Sequence, residues 1–139
     1  MKLAIIFSIC IMFSFAAQSQ SKATCKNPKG AWLNTIGSTM TIKNYNTSSG
    51  SIDGIYETPS LPGQIFPLVG WVNELPAVVG KSNTVAISFS VRWGKVGSIT
   101  SWTCTCANNT IRAPWHLVSP VTQFSWDHFL TDLDVFQPK

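Results

Sequence analysis

Apolar and polar positions alternate with a period of two through most of the chain beyond residue 30, the period of strands that lay one face on a core. The longest run, Thr84–Trp93, puts Val85, Ile87, Phe89 and Val91 on one face. Ala86, Ser88, Ser90 and Arg92 fall on the other. Ser98–Cys106 repeats the pattern, with Ser98, Thr100, Trp102, Cys104 and Cys106 together on one side. Ser38–Ile42, Ser51–Tyr56, Ile111–Val118 and Phe129–Phe136 follow the same rule. Turn signals at Ser48-Ser49-Gly50, Pro62-Gly63, Gly80, Gly94, Asn108-Asn109 and Ser119-Pro120 separate the strands, and the expected number of strands is eight. Helix-supporting stretches are almost absent. Strands this short, joined about every ten to fourteen residues, suit a sandwich or an up-and-down barrel. An eight-stranded meander that closes removes its own edges and has room for one small ligand. The expected fold is therefore all-β, an eight-stranded antiparallel up-and-down β-barrel.

The first segment breaks this pattern. Lys2 precedes an almost wholly apolar run from Leu3 to Ala17, too short for a membrane span, and small residues follow at Ala16, Ala17, Ser19 and Ser21. A core helix would need a polar face, and this run has none. Residues 1–20 read as a secretory signal peptide, cleaved between Ala16 and Ser21, and residues 21–139 as the barrel domain. Cleavage removes Lys2 and Cys10, leaving nine basic and six acidic residues. The basic residues stand singly, so nucleic acid is not an expected partner, and no membrane span remains. The 45% apolar and 12% aromatic content excludes a disordered chain.

Secretion exposes the chain to an oxidising compartment, so its cysteines read as disulfide candidates. Cys25, Cys104 and Cys106 allow one intramolecular bridge, and the close spacing of the last two favours Cys25 paired with one of them. The leftover thiol is expected to be buried as a small hydrophobe. No metal site is expected, because no His or second Cys pair stands at zinc spacing. Asn46-Thr47-Ser48 and Asn108-Asn109-Thr110 are acceptor patterns for glycosylation at Asn46 and Asn108, both in polar, turn-like stretches.

All six tryptophans lie beyond the signal segment. Trp93, Trp102 and Trp115 fall in or at the ends of successive strands, where a barrel can gather them in one lumen. Tryptophans alone could simply pack a core. Ser98 and Thr100, however, share a strand face with Trp102, which suits a ligand-lined lumen better than a dry interior.

Gly30-Ala-Trp-Leu-Asn-Thr-Ile-Gly-Ser-Thr-Met-Thr-Ile42 resembles the first hairpin of the avidin and streptavidin family, and the resemblance continues through Gly54–Thr58, Phe89–Trp93, Ser98–Trp102, Pro114–Leu117, Trp126 and Asp134–Phe136. These blocks stand in family order over essentially the whole chain from Cys25 to Phe136. The signal segment and sequons are most similar to those of the secreted vertebrate members. The resemblance implies a biotin-binding barrel, normally a homotetramer, with biotin as ligand and no cofactor. It implies that Asn34, Ser38 and Tyr56 donate to the ureido oxygen, where three fixed donors favour partial negative charge. Asp134 matches the acceptor of a ureido N–H, a charge-assisted bond. Thr100 matches the hydroxyl facing the thioether sulfur, and Ser98 a contact to the valerate carboxylate. Thr58 and Leu117 keep places in the site, and Trp93, Trp102 and Trp115 match its apolar walls. Trp126 matches the tryptophan that enters a neighbouring subunit's site. Cys25 and Cys106 match the family's intrachain disulfide, which leaves Cys104 free. The loop from Glu57 to Leu68 departs from the family pattern: Pro59, Pro62 and Pro67 lack the N–H groups with which that loop holds the ligand's carboxylate. Lys95 stands where an aromatic often lines the mouth.

Two other classes compete with this reading. A lipocalin-like secreted barrel for another small apolar ligand would account for the tryptophans but not for Asn34, Ser38, Tyr56 and Asp134. A glycosylated egg-coat interaction protein would use its glycans and Cys104 to cross-link. An enzyme is not expected: His116 and His128 are the only bases suited to neutral pH, no nucleophile pattern accompanies them, and both read as surface residues.

Overall fold

The structure, a computed structural model, describes residues 22–76 and 78–139, so the segment read as a signal peptide lies outside the described residues. Eight strands follow in order: β1 Gly30–Asn34, β2 Thr39–Tyr45, β3 Ser51–Glu57, β4 Phe66–Asn73, β5 Val85–Arg92, β6 Ile99–Ala107, β7 Thr110–Val118 and β8 Phe129–Pro138. Each pairs antiparallel with the next, and β8 returns to β1 through Trp32↔Pro138 and Asn34↔Phe136. The sheet is a closed up-and-down barrel, as the period-two pattern predicts. The one helical element among the described residues is a 3-10 turn, Gly94–Val96.

Inward positions are those that the alternation marks. Val85, Ile87, Phe89 and Val91 of β5 are buried, as are Thr100, Trp102, Cys104 and Cys106 of β6. Because side chains alternate strictly, a one-residue slip would turn these rows out to water, so the pattern fixes the register. Two strands are not marked by alternation. β1 has only five residues. β4 points Phe66, Leu68, Gly70 and Val72 inward, but its outer face presents Val69 and Trp71 to solvent. With apolar residues on both faces, the polar half of the period disappears. Pro67 belongs to β4, on its exposed face, so the β3–β4 loop is Thr58–Ile65 and is shorter than the expected Glu57–Leu68.

Gly70 is an inward position without a side chain, and the wall depends on that. A Cβ there would collide with the carbonyl oxygen of Ser88 and come within 2.8 Å of the Phe89 Cβ. Gly70→Ala should therefore destabilise the barrel by about 1–3 kcal/mol, the scale of overpacking, in a denaturant titration. Parent-like stability would show that β4 and β5 can separate without cost.

The barrel has two unlike rims. At one, the Cys25–Cys106 disulfide ties the segment before β1 to the end of β6. Ala23, Cys25 and Pro28 are buried there, and the Trp32 indole N–H donates to the Pro28 carbonyl at 2.8 Å. Asn108 and Asn109, at φ 50° and 54°, form the tight β6–β7 turn beside it, and the Asn109 side chain accepts the Cys25 N–H at 3.2 Å. Trp32, Met40, Ile42, Ile87, Ile111 and Phe136 fill the interior with essentially no exposure. The other rim is where β1, β3, β5 and β7 end and β2, β4, β6 and β8 begin. That end is open.

Candidate functional site

The open rim leads into a cavity of about 340 Å³, a size suited to one small molecule. Two aromatic rings, Tyr56 and Trp102, form part of its wall, and Phe89 backs them. Phe89 stacks on Trp102 at 4.7 Å and 13°, and Tyr56 covers Trp102 at 5.3 Å and 28°. Phe89 and Trp102 are cross-strand partners on β5 and β6, so the stack follows from register. Trp93, just past β5, meets Tyr56 edge-on at 5.7 Å and Phe66 at 4.9 Å. Trp115, paired with Trp102 from β7, and Leu117 extend the apolar wall.

The polar groups are held by one another. Asp134 on β8 is buried, and its carboxylate accepts the Trp102 indole N–H at 2.9 Å and the Asn34 amide N–H at 3.1 Å. The Asn34 carbonyl in turn accepts the backbone N–H of Ser38 at 2.7 Å and of Ile36 at 3.2 Å, which fixes the β1–β2 turn. Ser38 donates its hydroxyl to Thr58 at 3.2 Å. The Trp93 indole N–H donates to the Thr100 hydroxyl at 2.7 Å. On the β5–β6 turn, Gly97 takes φ +80°, where a side chain would be strained, and its Cβ would sit 3.0 Å from Pro120. That turn delivers Ser98, buried, to the cavity.

Burial dominates the electrostatics. It raises the Asp134 carboxyl above its ordinary value; the Trp102 and Asn34 hydrogen bonds oppose the rise, and the charge of Asp132 adds to it. Burial likewise lifts the Tyr56 phenol above its usual range, so it stays a protonated donor at any physiological pH. Beneath the cavity, burial, with a smaller contribution from the charge of Asp134, pushes the free Cys104 thiol up to about 12, and the group behaves as the small hydrophobe that the sequence suggests.

Ser38, Tyr56, Thr58, Trp93, Ser98, Thr100, Trp102, Trp115, Leu117 and Asp134 all line this one cavity. Asn34 is buried behind it, holding Asp134 and the Ser38 turn. Trp126 does not line it. That residue lies on the β7–β8 loop, 73% exposed, stacked face to face on Phe124 at 4.8 Å and 3°. Sequence reasoning missed Thr35, Ile36, Ser60, Leu61, Val96, Asp132 and Leu133. Most sit on turns, whose reach no period reports; Asp132 could have been found by parity, two residues from Asp134. The two histidines are peripheral: His116 points outward, and the His128 ring donates to the Ser119 carbonyl at 2.6 Å within the β7–β8 loop. Asn46 and Asn108 are both exposed. Among the described residues, no His, Cys, Asp and Glu cluster is arranged to hold a metal ion.

No curated protein matches the sequence. Among solved structures, the crystal structure of bradavidin superposes with a TM-score of 0.70 at 27% identity, covering 80% of this chain and 80% of that one. Core-bradavidin gives 0.66 at 27% identity, covering 78% and 97%. Xenavidin gives 0.64 at 26% identity, covering 80% and 96%. The model of the Avidin family matches residues 22–139, the whole of the barrel and its disulfide-pinned approach, and the chain belongs to that family.

Proposed function

We propose that the protein binds biotin and sequesters it without catalysis. The observation that carries this reading is the convergence, in one Trp-walled cavity, of hydroxyls at Ser38 and Tyr56 with a buried carboxylate acceptor at Asp134, the Ser38 O–H turning from Thr58 to the ligand on binding. A cyclic urea needs that combination: donors for its oxygen and an acceptor for an N–H. The Asn34 amide has a second N–H beyond the one given to Asp134, suited to the same oxygen. Thr58, Ser98 and Thr100 supply hydroxyls toward the rest of the ligand, and Trp93, Trp102, Trp115 and Leu117 exclude water. Asp134, Asn34 and Thr100 are held by hydrogen bonds before any ligand arrives, so binding orders little there. A displacement assay with a fluorescent biotin conjugate tests the reading. Biotin should compete and lipoic acid, which has a similar acid tail but no urea, should not. Equal competition would favour a general apolar-ligand barrel.

The remaining parts of the proposal are secretion, glycosylation at Asn46 and Asn108, and a homotetramer in which Trp126 closes a neighbour's cavity. Secretion is supported by the disulfide, which forms in oxidising compartments. Assembly is supported by apolar side chains turned to solvent, Val69, Trp71, Phe129 and Trp126 among them. Light scattering should then give four times the subunit mass.

Binding should also depend on acidity. The raised Asp134 pKa means that folding favours its neutral form, so the ligand-free barrel gains stability from this group as pH falls through the raised value. The same protonation removes the charged acceptor. Affinity for biotin amide, whose tail does not titrate, should therefore fall at a pH above the ordinary 3.8 of an aspartate, without parallel loss of the ligand-free fold. Affinity unchanged down to that value would show that the carboxylate is not the acceptor.

A further inference from the structure

The cavity is acidic in a way that its ureido contacts do not require. Its lining includes two carboxylates, Asp132 and Asp134, and no Lys, Arg or His. Asp134 is accounted for by its two donors. Asp132 is not: its carboxylate takes the backbone N–H of Leu133 at 2.8 Å and otherwise stands exposed in the cavity mouth. Its place follows from parity and direction. β8 enters at the open rim with Phe129 and runs inward, so Asp132 lies one inward-facing position nearer the rim than Asp134, about 6.6 Å along the strand. Across the sheet it pairs with Trp115, one of the apolar walls. Neither Lys95 nor His128 neutralises it, and His116, next to its partner Trp115, points outward. Lys95 is exposed on the 3-10 turn and is not a lining residue, and the His128 ring is engaged with Ser119.

We infer that Asp132 sets the charge preference of the site, which takes biotin with its tail masked as an amide or ester, as on a biotinylated amine, in preference to the free acid. This rests on the biotin reading above. With the ureido ring at Asp134, a tail directed toward the rim along β8 brings its carboxyl group into the mouth that Asp132 lines. A bound free carboxylate then rests near a like charge, whereas an amide does not. In a partly hydrated mouth such repulsion amounts to about a threefold to tenfold difference in affinity, and salt should weaken it.

The test is competition by biotin and by biotin amide against a fluorescent biotin conjugate, for the parent and Asp132→Asn, at low and high ionic strength. The parent should bind the amide about threefold to tenfold more tightly at low salt, with the ratio shrinking as salt is added. Asp132→Asn should bring the ratio near one and remove its salt dependence, an outcome that mere loosening of the site would not produce. A parent that binds acid and amide equally at low salt, or a ratio that survives the substitution, would overturn the assignment of Asp132. Binding of neither compound by the folded protein would overturn the biotin reading itself, and this inference with it.

Discussion

Asp134→Ala should weaken biotin binding by about 1.5–3 kcal/mol, the scale of a lost hydrogen bond to a charged group. Asp134 is buried, faces the cavity, and is held in place by the two donors Trp102 and Asn34. The substitution removes the ligand's acceptor and also frees both donors, so the wall of Trp102 and the Asn34-held turn lose their common anchor. Asp134→Asn separates the two effects. It keeps a carbonyl acceptor but brings an N–H that can satisfy neither donor, and it should fall between parent and alanine. Calorimetry or dissociation kinetics would read the difference. An alanine variant that binds as tightly as the parent would mean that Asp134 is a structural group and that some other residue meets the urea.

Cys25→Ser with Cys106→Ser should lower the unfolding free energy by about 2–5 kcal/mol, the largest stability change expected for this chain. The bridge spans 81 residues and pins the segment before β1 to the end of β6, so it constrains most of the unfolded barrel. It lies at the rim opposite the cavity. The paired serine variant should therefore lose stability in denaturant while keeping one ligand per chain under conditions where it stays folded. Loss of stoichiometry with an intact fold would show that the two rims communicate.

How much of this was legible in the sequence depended on what each strand shows to solvent. β5 and β6 were plain because their outer faces are small and hydroxylated, Ala86, Ser88 and Ser90 against Ser101, Thr103 and Thr105. β4 was hidden by its exposed Val69 and Trp71, and β1 by its five-residue length. Side-chain parity could not choose between Cys104 and Cys106, since both point inward. Register decides it: Cys106 pairs with Val85 and Ile111 beside the rim where the N-terminal segment lies, while Cys104 sits deeper, opposite Ile87. The cavity lining was legible largely through the family resemblance, most of whose blocks lie at strand ends on the open rim. Its turns were not. Ile36, Ser60, Leu61 and Val96 enter the cavity from loops whose course is set by irregular turns, such as the one closed by Leu61 N–H to the Thr58 carbonyl at 3.1 Å, which carry no period.

Trp102 and Trp93 make the proposed binding of biotin in the Trp-walled cavity directly observable. Both indoles donate to groups in the cavity lining, Trp102 to Asp134 and Trp93 to Thr100. A titration of the purified protein with biotin, followed by tryptophan fluorescence, should show quenching that saturates at one biotin per chain. No change in fluorescence from a protein that circular dichroism shows to be folded would contradict the account, and would leave the barrel with a different ligand.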